Sequence, residues 1–122
     1  MSHPNLIILY VRDAEFSSAF YGTLFDVSPI EQSNDFAMFV LAGGLRFGVW
    51  ARDAVKPAVS ASAGAMEIAI PVADKAQVEQ WHQQFRSQDI TIAQTPEYMD
   101  FGYTFTALDP DGHRLRVYAP SR

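Results

Sequence analysis

The sequence predicts an α+β fold of two βαβββ modules, on three observations. Phe105–Tyr118, FTALDPDGHRLRVY, reads as a complete hairpin. Its two apolar runs flank Asp109-Pro110-Asp111-Gly112, where Pro presets φ for a turn and Gly supplies φ > 0. Moved back by 68 positions, this segment lies over Ala37–Trp50, AMFVLAGGLRFGVW, with Gly112 on Gly44, Arg114 on Arg46, Val117 on Val49 and Tyr118 on Trp50. A second register, offset by 61, matches Leu6–Asp13 with Glu67–Asp74, and Phe20 and Leu24 with Trp81 and Phe85. The same elements recurring in the same order make an internal repeat: one module at about 4–52, a linker at about 53–64 and a second module at about 65–120, within a single 1–122 domain.

The elements follow in order. Asn5–Val11 is a β-rich run with no polar residue after Asn5, which predicts a strand covered on both faces. Asp13 stands where its carboxylate would cap a helix from about Ala14 to Leu24, with Phe16, Phe20 and Leu24, beside Ala19, as its apolar stripe. Glu31–Asp35 reads as a polar turn, Phe36–Leu41 as a strand, Gly43-Gly44 as a hairpin turn and Leu45–Trp50 as the returning strand. Ala51–Ala65 contains Pro57 and the run SASAGA without periodicity, so it reads as a linker. Met66–Val72 resumes as a strand. Asp74 is the second cap, and Gln77 three residues later fits a capping box. Val78, Trp81, His82 and Phe85 form the buried stripe of the second helix. Ile90–Ala93 reads as a short strand and Thr95–Gly102, TPEYMDFG, as a loop rich in large side chains, before Tyr103–Leu108 enters the hairpin. In its last strand Arg114, Arg116 and Tyr118 share one face, and Leu115 and Val117 the other.

Composition narrows the function classes. Hydrophobic residues are 48% of the 122, enough for a packed interior. No run approaches the roughly 20 apolar residues of a membrane-spanning helix, and the N-terminus carries no signal-peptide pattern, so a soluble cytoplasmic protein is expected. Zero cysteines exclude disulfides, thiolate catalysis and Cys-ligated zinc. A net charge of -5, with Arg12, Arg46, Arg52, Arg86, Arg114, Arg116 and Arg122 scattered, argues against a nucleic-acid surface.

YVRDAEFSSAFYGTLF resembles the opening signature, and FTALDPDGHRLRVY the closing signature, of the vicinal oxygen chelate superfamily. That superfamily holds glyoxalase I, extradiol dioxygenases, fosfomycin-modifying enzymes and bleomycin-resistance proteins. The resemblance spans essentially the whole chain. It implies sheets curled around a cavity and a homodimer, with exchange of modules between subunits left open by the linker's length.

Enzymes of this superfamily usually hold a divalent metal, and the resemblance places its ligands at four positions of this chain. The His expected seven residues before the first helix-capping Asp is Leu6, and its second-half equivalent is Glu67. The Glu expected four residues after the last turn glycine is Arg116, and its first-half equivalent is Gly48. Only Glu67 offers a metal ligand there: leucine has no lone pair, glycine no side chain, and a guanidinium repels a cation. His3, His82 and His113 form no pair at ligand spacing and read as structural or solvated. The expectation is therefore no metal and no cofactor.

With the family's ligand positions facing inward, strand parity directs Leu6, Ile8, Tyr10, Arg46, Gly48 and Trp50 into the cavity from the first half. Glu67, Ala69, Pro71, Arg114, Arg116 and Tyr118 enter from the second. An indole beside a glycine gap, lined by tyrosine and aliphatic groups, suits a flat apolar ligand, and Tyr98, Met99, Phe101 and Tyr103 supply a lid or second wall. Glu67 and Arg116 are expected to pair where relatives hold the metal. The expected ligand-binding residues are thus Ile8, Tyr10, Arg46, Gly48, Trp50, Glu67, Tyr98, Phe101, Tyr103, Arg116 and Tyr118, with no catalytic residue. Metal-free relatives of this character resemble bleomycin-, mitomycin- and phenazine-binding resistance proteins. The leading expectation is sequestration of a small planar aromatic compound or antibiotic by a cytoplasmic homodimer, without nucleic-acid or membrane partners. The alternative is a glyoxalase- or dioxygenase-type lyase or oxidoreductase, using a metal or Glu67 as general base.

Overall fold

The computed structural model describes residues 2–121, which fall into two compact units divided between Ala61 and Ser62. Unit 1 contains β1 (Leu6–Val11), α1 (Ala14–Phe25), β2 (Glu31–Gln32), β3 (Phe36–Val40) and β4 (Arg46–Ala51). Unit 2 contains β5 (Glu67–Pro71), α2 (Lys75–Ser87), β6 (Ile92–Met99), β7 (Gly102–Leu108) and β8 (Arg114–Pro120). The sheet orders are β1-β4-β3-β2 and β5-β8-β7-β6, the same topology twice, and the fold is α+β.

The repeat holds down to register. Parallel pairing sets Leu6 opposite Arg46 in unit 1 and Glu67 opposite Arg114 in unit 2, while antiparallel pairing sets Met38 opposite Gly48 and Thr106 opposite Arg116. These pairs are related by the two sequence offsets. A one-residue slip would turn every side chain to the other face, so the repeat carries its face assignment from one unit to the other.

Both helices start on the expected caps. The Phe16 backbone N–H donates to Asp13 Oδ1 at 3.0 Å, and that of Gln77 to Asp74 Oδ1 at 2.9 Å. Gln77 Oε1 reaches back to accept from the Ala73 N–H at 3.0 Å, one residue outside the usual capping-box partner. α1 ends at Asp26, which adopts the left-handed conformation while its region's chain reversal is closed by Val27 N–H donating to the Gly22 carbonyl.

In α2 the expected stripe packs inward, with Val78 and Phe85 buried and Trp81 and His82 half-buried. In α1 it does not. The buried face is Ala14, Ser17, Ser18 and Tyr21, while Phe16 is 63% exposed, Ala19 is exposed, and Phe20 and Leu24 are only half-buried. Short side chains at 14, 17 and 18 let the helix lie close to the sheet. Tyr21 then fills the contact, its ring centroid 4.7 Å from Phe47 and 5.6 Å from Phe25.

Three further expectations are corrected. Glu31 and Gln32 pair with Met38 and Ala37 as β2, so the polar turn is confined to the residues after them. The segment read as a short strand and a loop is one long edge strand, β6, with register shifts on either side of Gln94. The edge position tolerates Pro96, and the irregular register hid the strand's period. β1 is covered on one face only, with Leu9 and Val11 buried and Tyr10 37% exposed. At the start of β7, a Cβ on Gly102 would lie 2.0 Å from the Ala119 carbonyl oxygen, at φ +147, so this close approach of β7 to β8 requires glycine.

Candidate functional site

In unit 1 the sheet face turned away from Leu9, Phe39 and Phe47 carries an aromatic cluster. Register sets Tyr10 and Phe36 on either side of Trp50. Trp50 meets both edge-on, at 6.2 Å and 75° with Tyr10 and at 6.4 Å and 88° with Phe36. Ile8 is half-buried beside Gly48, and Arg46 is exposed at the strand's start. The gap expected at Gly48 is filled: a Cβ there would come within 3.2 Å of the Phe36 ring. Glycine at this position makes room for an aromatic side chain of the protein, and Phe36 was the missing residue. Its place opposite Trp50 was available from the Gly43-Gly44 hairpin, which fixes which residues of the two strands face each other.

In unit 2 the corresponding face carries a polar network under two aromatic rings. Arg116 Nε donates to Glu67 Oε2 at 2.6 Å, diagonally across β5 and β8, since Glu67 lies opposite Arg114 and Arg116 opposite Ala69. Arg116 Nη1 donates to Gln94 Oε1 at 3.1 Å and to Thr104 Oγ1 at 3.3 Å. Thr106 Oγ1 donates to the same Gln94 oxygen at 2.9 Å, and Thr104 Oγ1 to the Val117 carbonyl at 2.8 Å. Gln94 Nε2 in turn reaches Glu97 Oε2 at 3.1 Å. The Arg116 side chain is 15% exposed and that of Glu67 37%, so the pair sits at the rim of solvent. The Phe101 ring lies 5.4 Å from the guanidinium carbon and 6.1 Å from the Tyr118 ring.

Gln94, Thr104 and Thr106 escaped the sequence reading. The two threonines alternate in β7 on the face of Arg116 and Tyr118, a pattern visible from the hairpin alone, whereas Gln94 sits at the register shift of β6. Tyr98 and Tyr103 do not join this face. Their rings pack against each other with centroids 4.7 Å apart and planes tilted by 60°, Tyr103 Oη donates to Glu79 Oε1 of α2 at 2.8 Å, and Lys75 Nζ lies over both rings. That hydrogen bond raises the Tyr103 phenol above its ordinary value. Tyr103 follows Gly102, so parity sends it to the helix side of the sheet, and its cross-strand partner Tyr98 goes with it. These two rings tie α2 to the edge hairpin and are removed from the expected lid, leaving Phe101 and Met99 as its exposed members.

A divalent metal does not fit the donor set. Leu6 and Gly48 provide no ligand atom, and the Glu67 carboxylate is bound by a fixed cation. Among the described residues no three His, Cys, Asp or Glu side chains gather as a metal would require. His82 packs its ring 5.2 Å from Phe105, with Nε2 buried and unpartnered among the described residues, and burial lowers its pKa. It is a half-buried residue on the sheet-facing side of α2. An open groove of about 760 Å³ runs along α1 past Ser18, Gly22, Asp26 and Pro29, and it shares no residue with either face. The two faces, with their convergent aromatic and charged groups, are the better candidates for recognition.

Residues 3–117 match the Glyoxalase/Bleomycin resistance protein/Dioxygenase superfamily, and the chain belongs to that family. It is 29% identical over 116 residues to the phenazine antibiotic resistance protein EhpR of Enterobacter agglomerans, covering 93% of this chain and 89% of the relative. A protein of Agrobacterium tumefaciens solved by solution NMR superposes with a TM-score of 0.92 at 44% identity, covering all of both chains. A glyoxalase-related enzyme of Fulvimarina pelagi shares the fold, with a TM-score of 0.82 at 21% identity over 98% of this chain and 88% of the other. No helix among the described residues is long and apolar enough to cross a membrane.

Proposed function

We propose that this protein binds and sequesters a small planar aromatic compound or antibiotic without a metal, acting as a cytoplasmic homodimer of the bleomycin-, mitomycin- and phenazine-resistance kind. The observation that carries the reading is the 2.6 Å pair of Arg116 with Glu67. Where a metalloenzyme of this family needs anionic or imidazole ligands, unit 2 holds a carboxylate already neutralised by a guanidinium, and unit 1 offers leucine and glycine. What the faces do offer is stacking surface, Tyr10, Trp50 and Phe36 in unit 1 and Phe101 and Tyr118 in unit 2, beside a fixed polar anchor. Binding without chemistry requires only shape, stacking and a few hydrogen bonds. Kinship with a protein named for phenazine resistance supports the same ligand class. The alternative, Glu67 as general base, is disfavoured because its Oε2 is already engaged by the Arg116 Nε–H at 2.6 Å and is not free to take a substrate proton.

The test is quenching of tryptophan fluorescence by a panel of planar antibiotics, repeated on Trp50→Ala and Arg116→Ala. Stoichiometric quenching that disappears in Trp50→Ala and weakens in Arg116→Ala is the expected result, with Trp81 as the remaining emitter. Absence of saturable quenching by every compound would overturn it.

A further inference from the structure

We infer that the unit 2 face selects neutral aromatic ligands bearing a hydrogen-bond acceptor, such as a ring carbonyl, carboxamide or ring nitrogen, and discriminates against aromatic acids. The inference rests on the sequestration reading and names the ligand class it implies.

Arg116 is the natural anchor for an acceptor. Its Nε and Nη1 are engaged by Glu67, Gln94 and Thr104, whereas Nη2 has no acceptor among the described residues. The guanidinium carbon lies 5.4 Å from the Phe101 ring centroid, so a ligand ring stacked on Phe101 comes within reach of this arginine. A lone arginine in such a place would favour a carboxylate, which it can hold with two parallel hydrogen bonds. Here its charge is already matched. Glu67 takes Nε at 2.6 Å, and Glu97 approaches the network through Gln94.

The rest of the face does not restore a surplus of positive charge. Arg114, opposite Glu67, makes the formal balance of Arg114 and Arg116 against Glu67 and Glu97 zero. Lys75 is committed to the Tyr98 and Tyr103 rings on the helix side. A ligand carboxylate at Nη2 would give up its hydration and lie near the Glu67 carboxylate, while a neutral acceptor takes the same hydrogen bond without that repulsion. Specificity of this kind is built from a repulsive element as well as an attractive one, and Glu67 is the repulsive element.

The experiment compares two probes of one shape, phenazine-1-carboxamide and phenazine-1-carboxylate, titrated into the full-length protein at pH 8, where the acid is ionised. The wild type is expected to bind the carboxamide about tenfold more tightly, the scale of one added repulsion at partly solvated distance. In Glu67→Gln, which keeps an acceptor for Arg116 Nε, the preference is expected to vanish or reverse. Equal or tighter binding of the carboxylate by the wild type would overturn the inference, as would an unchanged ratio in a Glu67→Gln protein of wild-type circular dichroism. Saturable binding of neither probe would refute the sequestration reading and the inference with it, whereas binding of both at a ratio near one refutes the charge rule alone.

Discussion

Separating Arg116 from Glu67 gives the most direct energetic test of the ion pair on which the proposed metal-free site rests. At a charge separation near 4 Å the Coulomb attraction is about 1 kcal/mol in water and about 4 kcal/mol at the effective dielectric of a protein surface. With the two side chains 15% and 37% exposed, desolvation and screening remove part of the larger figure, and exposed pairs measure only about 0.2–1 kcal/mol. A coupling of about 1–2 kcal/mol is therefore expected. The partners also fix the single-variant costs. In Arg116→Ala, Gln94 Oε1 keeps the Thr106 hydroxyl, Thr104 keeps the Val117 carbonyl, and Glu67 is open enough to be hydrated. No buried group is orphaned, so the loss stays near 1–2 kcal/mol rather than the 3–5 kcal/mol of a broken buried pair. Arg116→Lys keeps the charge but not the fork that reaches three acceptors, so it recovers only part of the loss. Urea unfolding of the wild type, Glu67→Ala, Arg116→Ala and the double variant measures the coupling as a double-mutant cycle. A value below about 0.3 kcal/mol would show the two charges to be independently solvated and refute the reasoning.

Other expectations follow from the packing. Tyr21→Ala removes the anchor of α1 and should cost about 3–5 kcal/mol in chemical denaturation, while Phe16→Ala on the exposed side should change stability by less than about 0.5 kcal/mol; the reverse order would restore the face read from sequence. Gly102→Ala sets a Cβ against a backbone carbonyl at a φ reserved for glycine, so a loss above about 3 kcal/mol is expected, and a thermal midpoint within a few degrees of wild type would contradict it. His82 is held below its ordinary pKa by burial, then by the Arg86 charge, with Glu79 opposing. The folded state therefore takes up the proton later than the unfolded chain as pH falls. Stability should be full above about pH 6.5 and decline below it, down to the lower folded value. His82→Gln should flatten that acid-side decline, and an unchanged pH profile in equilibrium unfolding would argue that the ring titrates freely.

The parts of the fold that could be read in advance are those where local chemistry and the repeat agree. The Asp13 and Asp74 caps, the Gly112 turn and the shared strand register all rest on short-range rules, and two copies of each hairpin corrected for the weakness of either alone. The α1 face was misread because hydrophobicity was given more weight than fit. Phe16 and Phe20 carry more apolar surface, but Ala14, Ser17 and Ser18 permit the close approach that buries Tyr21. The sequence pattern breaks β6 into a short strand and a loop because its register shifts and Pro96 interrupt the strand's period. At the site, the Glu67–Arg116 pair was legible through the resemblance, which implies that both occupy ligand positions of one metal and so lie within reach of each other. Phe36 was within reach of the Gly43-Gly44 hairpin register, whereas Gln94, at the register shift of β6, required the strand pairing itself. Tyr98 and Tyr103 were lost from the expected site through parity, one residue's step beyond Gly102 turning both toward α2.

The decisive measurement is calorimetric titration of the full-length protein with a planar aromatic ligand identified by quenching, after EDTA treatment and again in Mn²⁺, Ni²⁺ or Zn²⁺. Metal-independent sequestration requires stoichiometric binding in the stripped protein with a Kd that metal changes by no more than about twofold, less than 0.5 kcal/mol. Binding that appears only with metal, or metal-dependent turnover of a 1,2-dicarbonyl thiol adduct or an epoxide, would contradict it and assign the chain to the family's enzymes.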